Sequence, residues 1–190
     1  MSLACQLGRC FCYAKVATGN PHPSERMDTI MKKRYYIAYG SNLNIRQMRM
    51  RCPSARVIGT AEIKDYELLF KGSHTGAYLT IEPKSGGSVP VAVWSVTDED
   101  EAALDRYEGF PTFYYKKEMQ LPIKGIKSGK TRIRDCFVYI MHEERSIGIP
   151  SLAYVSVCLE GYISFGFDEH LLAEAQLKSE EAFGYENRNH

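Results

Sequence analysis

Residues Tyr35-Tyr36-Ile37-Ala38-Tyr39-Gly40-Ser41-Asn42-Leu43 run an apolar, aromatic segment straight into a tight polar turn. Aromatic and β-branched side chains over 34–39 suit a buried strand. The turn then has to deliver the chain into a helix, because Asn44 is a good N-cap for Ile45 to Arg51 and Pro53 stops that segment. A strand end that presents glycine and small hydrogen-bonding residues ahead of helical N–H groups suits a carboxylate or an oxyanion. Glycine lets a ligand approach the backbone, and the first N–H groups of a helical turn lack partners.

The rest of the chain reads as strands followed by helices. Strands are expected over 55–63, 66–71, 77–82 and 89–96, separated by turn signals at Gly72-Ser73, Pro83 and Ser85-Gly86-Gly87-Ser88. Thr97 caps a helix whose first turn is acidic and which Gly109 ends. Strands follow over 113–121 and 131–141, joined by a Gly/Lys-rich hairpin loop near Gly125 to Lys130. Two helices follow Pro150, over 151–164 and 168–183, with a frayed tail from Gly184. The class is α+β with a mixed, curved sheet. Residues 1–30 lack periodicity and read as a loose leader, placing the folded domain over 31–190.

Charge and cysteine usage narrow the function classes. A net charge of +1 gives no footing for nucleic acid or a membrane surface. No apolar run reaches the ~20 residues that span a bilayer. Cys5, Cys10, Cys12, Cys52, Cys136 and Cys158 form no paired CxxC motif, and the five histidines show no ligand spacing. The expectation is free thiols in a reducing cytoplasm, with no metal and no organic cofactor.

One carboxylate stands apart. Leu104, Tyr107 and Glu108 lie at i, i+3 and i+4, so Glu108 sits beside an apolar stripe and at the negative end of its helix. Burial and that dipole both disfavour ionisation, which predicts a raised pKa suited to taking up and returning a proton near neutral pH. Spacing alone leaves a second reading open, an ordinary surface carboxylate at a helix end. Asp98, Glu99, Asp100 and Glu101 read as capping and solvation. Ser41 lacks the surroundings of a nucleophile elbow and reads as a turn or anion-binding residue. Tyr39 and Tyr154 each read as core packing or as pocket lining. Cys52, Cys136, Trp94 and Phe110 read as core.

These segments resemble the γ-glutamylcyclotransferase family, also described as AIG2-like or the butirosin-biosynthesis-type cyclotransferase fold. Tyr36-Ile37-Ala38-Tyr39-Gly40-Ser41-Asn42-Leu43 is similar to the family's Tyr-Gly-Ser-Asn-Leu signature, and Cys52-Pro53-Ser54-Ala55 to the Pro-Ser-Ala after its first helix. The run from Val91-Ala92-Val93-Trp94 to Leu104-Asp105-Arg106-Tyr107-Glu108-Gly109 looks like its strand, helix and catalytic glutamate. Pro150-Ser151-Leu152-Ala153-Tyr154 resembles the segment that supplies a substrate-facing tyrosine. The likeness spans roughly 34–165. The chain departs from the pattern at Phe110-Pro111-Thr112-Phe113, which is bulkier, and beyond Phe167.

The resemblance implies a small mixed β-barrel with flanking helices. It implies Glu108 as general acid and base, and Tyr39, Gly40, Ser41, Asn42, Leu43 and Tyr154 as substrate contacts. The reaction would be release of 5-oxoproline from a γ-glutamyl amino acid or γ-glutamyl amine, without cofactor. The partner would be that small molecule alone, with a homodimer left open. The alternative is a catalytically silent binding module for γ-glutamyl or related amino-acid ligands.

Overall fold

β1 (Arg34–Ala38) is hidden on both faces, with Tyr36, Ile37 and Ala38 all buried. This follows from its position between two neighbours in a closed barrel. A computed structural model describes residues 33–73 and 76–186. The leader expected over residues 1–30, with Cys5, Cys10 and Cys12, lies outside them.

The elements after β1 are a single 3-10 turn (Ser41–Leu43), α1 (Ile45–Arg51), β2 (Arg56–Ser73), β3 (Gly76–Val96) and α2 (Asp98–Glu108). Then come β4 (Tyr114–Gly125), β5 (Thr131–Met141), α3 (Leu152–Phe165) and α4 (His170–Glu186). The barrel order is β1-β3-β2-β4-β5, closed by a parallel β5–β1 pairing at Tyr36↔Phe137 and Ile37↔Val138. All other pairings are antiparallel, so the sheet is mixed. The seam between β2 and β4 is short, with only Gly59↔Gly125 and Thr60↔Lys124 in register. The backbones approach so closely there that a Cβ on Gly59 would lie 2.2 Å from the Lys124 carbonyl oxygen. A side chain at that position would force the seam apart.

Two corrections to the sequence reading concern the sheet. The four strands expected between 55 and 96 are two long ones, β2 and β3. The Ser85-Gly86-Gly87-Ser88 signal is a bulge, not a turn. Lys64 pairs with Ser88 and Tyr66 with Pro83, so Asp65 alone faces the four residues between. Asp65 takes φ 59 and its Oδ1 accepts the Gly86 N–H at 2.9 Å, which satisfies the displaced backbone. At the C-terminal end, the helix expected to stop at 183 continues as α4 to Glu186.

The core fills the barrel and the space under its helices. Phe70, Leu79, Ile81, Val93, Phe137 and Ile140 are among its buried residues. α3 lies against the 3-10 turn closely enough that a Cβ on Gly161 would be 2.5 Å from the Leu43 Cβ. Trp94, Cys52 and Cys136 are core as expected, whereas Phe110 is 39% exposed. Among the described residues no helix is long and apolar enough to cross a membrane.

Candidate active site

The turn after β1 forms one wall. Beyond Ala38 the chain leaves the sheet, and the Tyr39 hydroxyl reaches across the barrel end to donate to the Tyr139 carbonyl at 2.7 Å. Inside the turn, Leu43 N–H bonds Gly40 O at 2.9 Å and Asn44 N–H bonds Ser41 O at 3.1 Å. Among the described residues the N–H groups of Ser41 and Asn42 find no protein acceptor. The helix expected over Ile45 to Arg51 follows the turn with those bounds. A single 3-10 turn intervenes, and the N-terminus of α1 is closed by Asn44, whose Oδ1 accepts the Gln47 N–H at 3.1 Å. Leu43 is fully buried under α3 and does not line the cavity that the other turn residues border, so the structure does not gather it with them.

The opposite wall is the C-terminal end of α2. Its start is fixed by a capping box between Thr97 and Asp100, with Ser54 Oγ donating to Asp100 Oδ2 at 2.6 Å. Asp100 is therefore buried, while Glu101 pairs with Arg34 and Lys116. Gly109, at φ 63, ends the helix as the sequence suggests. Immediately before that stop, the Glu108 carboxyl accepts a hydrogen bond from Asn42 Nδ2 at 2.8 Å, and the same carboxamide donates to the Tyr36 hydroxyl at 2.9 Å.

This arrangement fixes the state of Glu108. Burial pushes its carboxyl up from an ordinary 4.5 to about 7, against the charge of Arg51 and the Asn42 hydrogen bond, both of which favour ionisation. The phenols of Tyr36 and Tyr39 are held protonated, first by burial and then by the nearby Glu108 charge. The site thus offers one carboxyl poised near neutrality among neutral hydroxyl groups.

Arg51 organises the wall from α1. Its Nη1 donates to Asn42 Oδ1 at 2.5 Å and its Nη2 to the Tyr107 hydroxyl at 2.7 Å. Its guanidinium lies 3.6 Å from the centre of the Tyr107 ring. Tyr107 is nevertheless 47% exposed and is no part of the expected buried stripe, which on this face is Leu104. Ser41 Oγ shares a 3.3 Å hydrogen bond with the Tyr107 hydroxyl, consistent with a turn role.

Two adjoining cavities result. The inner one, about 30 Å³, is bounded by Tyr39, Gly40, Ser41, Asn42, Glu108 and Tyr154. Tyr36, Leu79, Tyr114 and Tyr139 complete it. Two of these hydroxyls meet the backbone of one β3 residue: Tyr154 accepts the Leu79 N–H at 3.1 Å, and Tyr114 donates to the Leu79 carbonyl at 2.9 Å. The outer cavity, about 370 Å³, shares Ser41, Glu108, Tyr114 and Tyr154 and opens to solvent past Tyr78 and Tyr107. A larger cleft of about 760 Å³, where β2 and β4 part, is lined by residues such as Ile63, Met119 and Phe167 and by none from this site.

Of the residues singled out in the sequence, the structure brings Tyr39, Gly40, Ser41, Asn42, Glu108 and Tyr154 together around one cavity. Sequence reasoning misses Tyr36, Arg51, Tyr114 and Tyr139, which four different elements supply. Tyr36 lies inside the quoted signature and could have been chosen from it. The others carry no local signal.

Residues 36–155 match the model of a protein family described as gamma-glutamyl cyclotransferase, AIG2-like. A gamma-glutamylcyclotransferase of Bos taurus is 31% identical over 134 residues, covering 66% of this chain and 68% of the bovine protein. A solved structure described as a gamma-glutamyl cyclotransferase shares the fold at TM-score 0.65 and 24% identity, over 76% of this chain and 87% of that one. A crystal structure of an uncharacterized Homo sapiens protein has TM-score 0.64 and 26% identity, over 76% of this chain and 86% of that one.

Proposed function

Because this chain belongs to the AIG2-like gamma-glutamyl cyclotransferase family and is an enzyme of that type, we propose that it releases 5-oxoproline from a γ-glutamyl compound with Glu108 as general base and then general acid. The observation that carries this reading is the 2.8 Å hydrogen bond between Asn42 of the turn and the Glu108 carboxyl. One small molecule seated there touches both.

The substrate carries an α-ammonium and a γ-amide. Glu108, as carboxylate, accepts one proton from the ammonium and frees its lone pair. The amine nitrogen then attacks the γ-carbonyl carbon and the five-membered ring closes. Because attack is intramolecular, a correctly folded substrate has an effective molarity on the order of 10⁵ M or more. The carbonyl oxygen becomes an oxyanion, for which the unpaired N–H groups of Ser41 and Asn42 are suitable donors; they suit the substrate carboxylate equally. As the tetrahedral centre collapses, the γ C–N bond breaks. Glu108 returns its proton to the departing nitrogen; the carboxylate so regenerated takes the second proton from the ring nitrogen, which becomes the lactam N–H, and passes it to the released amine, which leaves as an ammonium.

A carboxyl group with pKa near 7 suits both halves of the cycle, since neither the protonated nor the ionised form is strongly preferred at neutral pH. The test is incubation with γ-glutamyl-alanine and detection of 5-oxoproline by mass spectrometry. Wild-type protein is expected to release it and Glu108→Gln to release almost none. Unaltered dipeptide after long incubation with wild type, despite saturable binding, would replace the enzyme reading by that of a binding module.

A further inference from the structure

The outer cavity is built differently from the inner one. Where the inner cavity presents hydroxyls and a carboxyl, the outer adds the rings of Tyr78, Tyr107 and Phe113. Tyr78 stands edge-on to Tyr154 at 5.1 Å and 88°, and to Phe113 at 6.2 Å and 78°. Such perpendicular arrangements favour fixed ring positions.

The walls are braced from behind. The Arg145 guanidinium covers Phe113 at 4.0 Å, and its Nη2 donates to the Thr112 carbonyl at 3.2 Å. His142 Nε2 donates to the Pro111 carbonyl at 2.7 Å. Arg51 covers Tyr107. The bulky Phe110-Pro111-Thr112-Phe113 segment is thus a supported wall. Yet Tyr78 remains 42% exposed and Tyr107 47% exposed, so aromatic surface faces a solvent-accessible space. At about 370 Å³ that space is of small-ligand size, for which the usual range is roughly 300–1,000 Å³.

Arg106 also lines this cavity, is exposed, and makes no side-chain hydrogen bond or ion pair among the described residues. A cation at the edge of an aromatic recess complements a group with an apolar body and a carboxylate. Aromatic faces also attract cations, but Arg106 disfavours a second positive charge beside it.

Resting on the cyclotransferase reading above, the geometry points to the outer cavity as a leaving-group subsite for an amino acid with a large apolar or aromatic side chain, its carboxylate met by Arg106. The γ-glutamyl end occupies the Glu108 side, where the γ C–N bond breaks. The freed amino acid takes the proton from Glu108 and leaves through the aromatic mouth.

The test compares 5-oxoproline release from γ-glutamyl-phenylalanine, γ-glutamyl-alanine, γ-glutamyl-phenethylamide and ε-(γ-glutamyl)-lysine. The kcat/KM for the phenylalanine compound is expected to exceed that for alanine about tenfold or more, given what apolar pockets discriminate. Arg106→Gln should lower the phenylalanine-to-phenethylamide ratio about fivefold, the scale of an exposed ion pair. Phe113→Ala should erode the preference for phenylalanine over alanine. Equal kcat/KM for phenylalanine and alanine, or a preference for the lysine compound, overturns the subsite while leaving the reaction intact. If nothing is turned over, the reaction assignment fails, and calorimetric binding of the two dipeptides decides the subsite: tighter binding of phenylalanine upholds it and equal binding removes it.

Discussion

Asn42 and Glu108 lie 66 positions apart in the chain, yet the Asn42 carboxamide donates to the Glu108 carboxyl at 2.8 Å. The bond joins the turn after β1 to the end of α2. It favours the ionised carboxyl, as does Arg51, but burial outweighs both and leaves the pKa at about 7. The acidic limb of kcat/KM, measured for 5-oxoproline release, is therefore expected to break near pH 7, with activity falling as Glu108 is protonated. A limb near pH 4.5, where an ordinary glutamate titrates, would show that the free enzyme's base is not this group.

The same shift predicts an unusual pH dependence of stability. The folded state binds the Glu108 proton more tightly than the unfolded chain, so stability is full below pH 4.5 and is lost as pH rises through about 7. At about 1.4 kcal/mol per pH unit the loss is on the order of 3 kcal/mol. Glu108→Gln has no proton to lose and keeps the Asn42 hydrogen bond through its side-chain carbonyl. The variant should be more stable than wild type at pH 8 and similar to it at pH 4. Chemical denaturation at the two pH values measures this; an equal difference at both would contradict the assigned shift.

Arg51 acts on Glu108 through charge and through Asn42. Arg51→Met should move the acidic limb to higher pH, because the cation that favours the carboxylate is gone. Arg51→Lys should keep the limb closer to its wild-type position, yet it lacks the fork that holds Asn42 and Tyr107 together. A limb that stays put in Arg51→Met would reduce Arg51 to a structural role.

What the sequence makes legible here is local. The Asn44 and Thr97 caps, the Gly109 stop and the placement of Glu108 at a helix end each depend on a few adjacent residues. The turn at Tyr39-Gly40-Ser41-Asn42 is legible for the same reason. The bulge at Asp65 is not, because Ser85-Gly86-Gly87-Ser88 becomes part of a strand only when a partner strand supplies Asp65 to bond it. Arg51, Tyr114 and Tyr139 reach the site only when the barrel closes, and no spacing rule links α1, β4 and β5. Tyr107 fits an apolar stripe by its spacing, but it stands half exposed, against the Arg51 guanidinium from another helix.

The Thr97 cap separates stability from chemistry. Thr97 Oγ1 accepts the Asp100 N–H at 3.3 Å, and Asp100 Oδ2 accepts the Thr97 N–H at 3.2 Å, at the end of α2 remote in sequence from Glu108. Thr97→Ala should cost about 1 kcal/mol, or roughly 2–4 °C in Tm for a chain of this size. The pH–rate profile should not move. Calorimetry and a pH series test both halves, and a displaced limb would mean that the cap sets the Glu108 environment.

Gly40 and Tyr154 provide the sharpest test of how tightly the inner cavity is built. A Cβ on Gly40 would lie 3.3 Å from the Tyr154 hydroxyl and 3.4 Å from the Leu79 Cβ. The hydroxyl cannot retreat freely, because it accepts the Leu79 N–H at 3.1 Å. Gly40→Ala should therefore press on the tyrosine, costing about 1–3 kcal/mol as overpacking does and raising KM as the cavity narrows. Tyr154→Phe removes the crowded oxygen but leaves the Leu79 N–H without its acceptor, at about 1 kcal/mol or more. The two effects are not independent, since the second substitution deletes the atom that the first one strikes. The double variant should be less destabilised than the sum of the singles by roughly 0.5 kcal/mol or more, the scale on which touching residues couple. Urea denaturation of the four proteins gives the coupling directly, and strict additivity would show that the alanine methyl is accommodated without meeting Tyr154.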